Sequence, residues 1–321
     1  MLHLRRRASD GHASAPSPVA HLTAPSWPTP FRLPALGTND IHVWKGEVRA
    51  LARLGTALQS SLDAGELARA ARFHHEADRN RFLLWHGLLR LLAAHYLERP
   101  AAALTFKAGE FGKPQMSGMD EGRLAFNLSH SGDLMLVAFA RSGRVGVDVE
   151  RWSAALGAPE RARIATSVFS PGEQAALAQL PVELHRAAFY SVWTRKEAYV
   201  KATGHGISRG LDHFEVSVHP DAACIRSDSS VESGIAHWRC FDLSPEPGYS
   251  AALATDIGAP HVVTMTVDAS LMSGESNGGS SEDADRTPKA VNTKLSSSSS
   301  SNASHEPQHE PPAPSTSEHE L

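Results

Sequence analysis

Three acids and one lysine have the types and spacing for chemistry on a charged, oxygen-rich substrate. Asp148 and Glu150 stand two apart in the run VGVDVE at residues 145–150. Side chains alternate along a strand, so Val145, Val147 and Val149 take one face and the two acids the other. Two carboxylates on one strand face are spaced to share a hard cation. Further on, Phe189, Trp193, Glu197 and Lys201 recur every fourth residue. That spacing makes one helical stripe, apolar at its start and charged at its end. Such a stripe brings a carboxylate and an ammonium to the edge of a core. If Glu197 meets Asp148 and Glu150, the cluster repels itself unless a divalent cation joins it, and Mg²⁺ suits oxygen ligands. Spacing alone favours the plainer reading, Glu197 and Lys201 as an ordinary exposed pair and Asp148 and Glu150 as a polar strand face, since such pairs are common on helices.

The elements that must hold these residues are legible in outline. A strand at residues 41–44 is followed by a helical pattern over 62–97, broken near His75. Strand patterns at 104–107, 123–128 and 134–140 come next, with the last two joined directly or through a short helical turn. The acid strand at 145–150 precedes short helices at 159–168 and 171–180, each with proline near its start. The long helix at 185–203 stops at Gly204. Strands at 214–218, 237–243, 249–255 and 262–267 complete the body. A faint duplication sets FNLS at 126–129 beside FDLS at 241–244, which without a gap places 137–140 opposite 252–255. Two similar halves would pack as a pseudo-dimer with a cleft between them.

Three segments carry a resemblance: FNLSHSG at 126–132, GVDVE at 146–150 and WTRKEAYVKATGHG at 193–206, with Gly112-Lys113-Pro114 upstream. In this order the chain resembles the 4′-phosphopantetheinyl transferase superfamily, of the Sfp-like type, over roughly residues 41–267. The resemblance implies an α+β fold of two similar pseudo-twofold-related lobes, each a small antiparallel sheet with helices. The expected division is an N-terminal lobe at 39–143 and a C-terminal lobe at 144–270. The family transfers 4′-phosphopantetheine from coenzyme A to a serine of an apo carrier-protein domain and releases adenosine 3′,5′-bisphosphate.

Carried over by resemblance, Asp148, Glu150 and Glu197 would be Mg²⁺ ligands. Glu197 is also the candidate base for the carrier serine. Lys201 would contact the phosphate being transferred, with Lys196 either joining it or facing solvent. Ser129 and His130, in a tight SHSG turn, and Lys113 would contact the coenzyme A phosphates. Arg69 and Arg81 are candidates for the adenosine end. Two positions depart from the family: Glu66 stands where it tends to place a base, and bulky Phe82 where some members carry a small hydroxyl residue. Two other readings remain at this stage: another Mg²⁺-dependent transferase acting on a nucleotide-like pyrophosphate, or a coenzyme A-binding or carrier-docking module without turnover.

Composition bounds the partners. Residues 272–321 hold three Lys/Arg and eight Asp/Glu, a balance of −5 within the total of −4, so the body stands near +1. No basic stripe argues for nucleic acid. Cys224 and Cys240 lack metal spacing and read as thiols in a reducing compartment. No apolar run reaches the roughly 18 residues of a membrane span. The start, with Arg5, Arg6 and Arg7 before a Pro- and Ser-rich stretch, reads as cytosolic rather than targeted. Six prolines in residues 1–38 suggest a disordered or loosely packed arm, and the Ser-, Glu- and Pro-rich stretch at 271–321 a disordered tail. A cytoplasmic monomer is the expectation, because the duplication already supplies a paired cleft.

Overall fold

The computed structural model describes residues 26–109, 114–204, 210–228 and 234–268. The expected tail at 271–321, residues 1–25 of the arm, and Lys113 lie outside the described residues. The first lobe begins with β1 (Asp40–Glu47) and two short helices, α1 (Val48–Leu51) and α2 (Gly55–Ser60). Then come α3 (Ala64–Ala70) and the long α4 (Glu76–Leu97), with His75 between them as the α4 N-cap. A small hairpin follows, β2 (Phe106–Ala108) with β3 (Pro114–Met116), and then β4 (Ala125–Ser131) and β5 (Leu134–Ala140). The second lobe contains β6 (Val145–Arg151), α5 (Ala158–Val168), α6 (Pro171–Gln179) and α7 (His185–Thr203). It continues through β7 (Phe214–Val216), β8 (Ile225–Asp228), β9 (Arg239–Asp242) and β10 (Tyr249–Thr255), and the described chain ends with β11 (His261–Thr266).

The fold is α+β with two lobes, each combining small sheets and helices. In the first lobe β1, β5 and β4 lie in that order, both pairings antiparallel. In the second, β6, β10 and β9 lie in the same order, again antiparallel. Each lobe thus runs strand, long helix, small hairpin, then two strands. The repeat is one of topology, and the FNLS and FDLS match does not follow it. Phe126 packs in the core under α4, whereas Phe241 packs in the core between the two sheets. One residue's shift on a strand reverses every side chain, and these motifs are out of phase. The match of β5 with β10 does hold: Val137 and Phe139, like Ala252 and Ala254, face their own lobe's long helix.

Two features depart from the expected division. The strand assigned to the end of the second lobe, β11, pairs with β1 instead, and it does so in parallel, from Asp40 opposite His261 to Lys45 opposite Thr266. The first sheet is therefore mixed, in the order β11-β1-β5-β4. Nor is the arm loose throughout. The Thr266 amide donates to the Pro28 carbonyl at 2.9 Å, the Trp27 indole donates to the Leu243 carbonyl at 3.3 Å, and Leu36 is buried. Proline lacks an amide donor but keeps its carbonyl, so a proline-rich segment can lie along an edge as an acceptor.

The core has three parts. One lies between α4 and the first sheet around Trp44, Leu88 and Phe139, and a second between α7 and the second sheet around Val192, Tyr199 and Ala252. The third lies between the sheets, where Val145, Val147 and Val149 meet Leu136, Ala138 and Leu253. The valine face of β6 thus seals the lobes together, as its alternation predicts, and turns Asp148 toward α7.

Candidate active site at the lobe seam

The acids are brought together by a helix pressed closely onto a strand. A Cβ placed on Gly146 would lie 2.1 Å from the Ala198 carbonyl oxygen and 2.4 Å from the Ala202 nitrogen. Only glycine lets α7 cross β6 there. Two residues on, Asp148 is buried, and Glu197 beside Ala198 is buried too. The stripe on α7 behaves as its spacing predicts: Phe189 lies in the core, Trp193 packs partly against it, and Lys201 emerges half-buried at the end. Gly204, with φ of 76°, closes the helix in the left-handed conformation that glycine adopts without strain.

Lys201 Nζ donates to Asp148 Oδ1 at 2.7 Å and to Ser129 Oγ at 3.0 Å. Ser129 Oγ in turn donates to Asp148 Oδ1 at 2.8 Å, and Ser131 Oγ donates to Glu150 Oε2 at 2.8 Å. The first lobe thus supplies hydroxyls to the acids of the second. Ser129 and His130 are not in the turn itself. They are strand residues of β4, and the turn begins at Gly132, with φ of 60°.

Burial first, and the Asp148 charge second, push the Glu150 carboxyl up to about 7, against the Ser131 hydrogen bond and Lys201. The same two causes raise Glu197 to about 7. Burial works against the Lys201 ammonium, but Asp148 and Glu197 outweigh it and hold its pKa above the usual lysine value. Asp148 Oδ2 and Glu197 Oε1 are buried with no hydrogen-bond partner. Among the described residues no three His, Cys, Asp or Glu side chains stand grouped so that they alone could hold a metal ion. The donor set nevertheless fits Mg²⁺, which is held through one or two carboxylates and completes its shell with water and substrate phosphates. Two orphaned carboxylate oxygens, and two carboxyls raised by burial and by the Asp148 charge, are the chemistry that a divalent cation relieves.

The other sequence candidates separate. His130 is exposed and stacks on Trp85 of α4, ring centroids 4.0 Å apart. Arg69 lies over the Phe82 ring at 5.4 Å. Arg69 and Phe82 line a cavity of about 330 Å³ that also includes Glu66, His86, Phe106 and Lys107. Arg81 pairs with Asp78 at 3.1 Å and with Asp133 at 3.0 Å, which ties α4 to the β4–β5 turn. Glu66, the departure from the family's base, completes a capping box with Asp63 and accepts from Arg90 Nε at 2.6 Å. The buried Arg90 guanidinium also donates to two carbonyls, so the acid serves that arginine.

Lys196 requires correction. It neither joins Lys201 nor faces solvent. Its fully buried ammonium donates to the Leu211 and Phe214 carbonyls at 2.6 and 2.7 Å and pairs with Glu173 at 2.8 Å. Burial lowers the Lys196 pKa and raises that of Glu173, so the pair is under desolvation cost. One helical position away from the stripe turns the side chain into the second lobe's core. Sequence reasoning also missed Ser131 and Asn127. Their odd-numbered alternation with Ser129 on β4 is the signal that could have found them.

Residues 144–254 match the 4′-phosphopantetheinyl transferase superfamily, and residues 44–142 match the 4′-phosphopantetheinyl transferase N-terminal family. The chain is similar to the 4′-phosphopantetheinyl transferase HetI of Nostoc sp., with 32% identity over 228 residues, 71% of this chain and 92% of that one. It is 33% identical to the 4′-phosphopantetheinyl transferase ffp of Bacillus subtilis over 65% of this chain and 88% of that one. To Sfp of the same species it is 31% identical over 60% and 82%. Both lobes and the acid-bearing seam between them fall within these matches, and the chain belongs to the 4′-phosphopantetheinyl transferase superfamily, Sfp type, as a transferase acting on carrier proteins.

Proposed function

We propose that the chain takes coenzyme A as donor and a serine of an apo carrier domain as acceptor, with adenosine 3′,5′-bisphosphate as the product released. The observation that carries this reading is the seam cluster: three acids crowded by burial, two of their oxygens unpartnered, and Lys201 beside them. Asp148, Glu150 and Glu197 would hold Mg²⁺, which when bound supplies charge neutralisation at the pyrophosphate.

The chain's own groups do the rest. Lys201 neutralises negative charge on the phosphoryl group as it passes. The serine oxygen forms a bond to phosphorus, the bridging P–O bond to the nucleotide breaks, and the serine proton passes to Glu197. Ser129 donates its hydroxyl proton to Asp148, so its part in this scheme is to orient that acid while accepting from Lys201. His130 on its Trp85 backing, Arg69 at the cavity and Arg81 would take the coenzyme A side, together with the contact that the resemblance gives to Lys113, outside the described residues. Lys196 is left out as a core residue.

The test is to incubate the protein with coenzyme A, Mg²⁺ and an apo carrier domain and to weigh the intact carrier. A gain of one phosphopantetheine unit, abolished by EDTA, is expected. Coenzyme A binding with no mass gain on several unrelated carriers would overturn turnover in favour of a docking role.

A further inference from the structure

Strand β4 touches β6 through side chains, in register along the seam. Asn127 Oδ1 accepts from the Val147 amide at 2.7 Å, Ser129 Oγ reaches Asp148, and Ser131 Oγ reaches both Glu150 and the Arg151 amide. Three alternate residues of one lobe thus fix four of the five positions 147–151 of the other, all but Val149, whose side chain lies in the core between the sheets.

Resting on the metal-centre reading above, we propose that Ser131 is a positioning residue for Glu150, setting which carboxylate oxygen faces the cation. A serine hydroxyl has one proton and two lone pairs. Here a lone pair of Ser131 accepts the Arg151 amide at 3.0 Å, and the single proton is directed to Glu150 Oε2 at 2.8 Å. The backbone contact holds the hydroxyl in place, and the hydroxyl holds one carboxylate oxygen, so that Oε1 would be the oxygen offered to a cation. Gly132, with φ of 60° in the left-handed region that favours glycine, turns the chain directly after the serine, and a Cβ on it would lie 3.1 Å from Tyr249 Oη and 3.2 Å from Arg151 Cδ, a tight approach to the end of β6. Partners that orient a metal-binding carboxylate change metal affinity by about 10- to 100-fold when removed.

The experiment titrates the full chain with Mn²⁺ near pH 8, without coenzyme A or carrier, reading free Mn²⁺ by electron paramagnetic resonance. Ser131→Ala is expected to weaken binding about tenfold, Ser131→Thr to restore it to within about threefold of the parent. At saturating metal, the coenzyme A KM of Ser131→Ala should stay near that of the parent, while the Mg²⁺ concentration for half-maximal rate rises. Ser131→Cys, which keeps the side chain's shape with a poor donor, replaces Ser131→Ala if that variant does not fold, and should show the same loss. Parent-like Mn²⁺ affinity in the folded donor-less variant overturns the role of Ser131 alone. A parent chain that binds no Mn²⁺ overturns the metal centre, and this proposal with it.

Discussion

The pKa of the seam carboxyls sets how metal affinity depends on pH. Glu150 and Glu197 each stand near 7, raised by burial and by Asp148. A cation that needs both ionised must displace their protons. At pH 6 each carboxyl is about one-eleventh ionised, and at pH 8 about ten-elevenths, so affinity should fall on the order of a hundredfold between these conditions. Carboxyls at their ordinary value near 4.5 would give less than about a twofold change over the same span. Isothermal titration with Mn²⁺ in two buffers of different ionisation enthalpy measures both the affinity and the protons released. Near pH 6 about two protons should leave per metal bound, and near pH 8 few. An affinity constant to within threefold from pH 6 to pH 8, with no proton release, would refute the raised values and the burial and like charge that explain them. The same linkage acts on stability. Because the folded pKa values lie above the unfolded ones, these two groups contribute stability below about pH 4.5 that is lost as pH rises through about 7. The melting temperature of the metal-free chain should therefore fall over that window, and Mg²⁺ should restore it at the upper end.

Three substitutions test the remaining assignments. Glu197→Gln should cut carrier modification by at least about a hundredfold while raising the metal-free melting temperature near pH 8, since it removes a buried like charge. Equal turnover by intact-mass assay would remove Glu197 from the chemistry. Lys196→Met should cost about 3–5 kcal/mol in urea unfolding, because it strands Glu173, while the coenzyme A KM of the folded fraction is unchanged. A stable variant with a raised KM would return Lys196 to the substrate. Gly146→Ala should destabilise by roughly 1–3 kcal/mol or more, as α7 is forced off β6. A parent-like unfolding midpoint would contradict the close crossing.

What the sequence made legible follows from periodicity. Asp148 and Glu150 declare their face through the valines that alternate with them, Glu197 through the aromatic residues four and eight positions earlier, and Lys201 through the same two residues eight and twelve positions earlier. These are local patterns, and local geometry decides them. Lys196 was misread because spacing places a residue on a helix without saying what covers that side. Glu173 and the Leu211 and Phe214 carbonyls come from distant segments. Ser131 was passed over for the same reason: its partner is on the other lobe. The FNLS and FDLS match misled in the opposite sense. A genuine topological repeat exists, but its acids have no counterpart. Trp44, paired with Val137, holds the place that Asp148, paired with Ala252, holds in the second lobe. There the Trp44 indole donates to the Tyr96 hydroxyl at 2.7 Å. One half became a site and the other a core.

The parallel pairing of β1 with β11 bears on how the chain is made. Residues 40–47 leave the ribosome early, yet one edge of their strand has its partner only after residue 266 has followed. For most of synthesis the first lobe therefore carries an open strand edge beside a formed α4. Such an edge invites pairing with other nascent chains. The second lobe has no such wait, since β6, β10 and β9 close on one another before β11 emerges. The lobe that is translated first is thus the one completed last, and a chain interrupted between residues 255 and 261 would lose the edge of the distant lobe while keeping the acids intact.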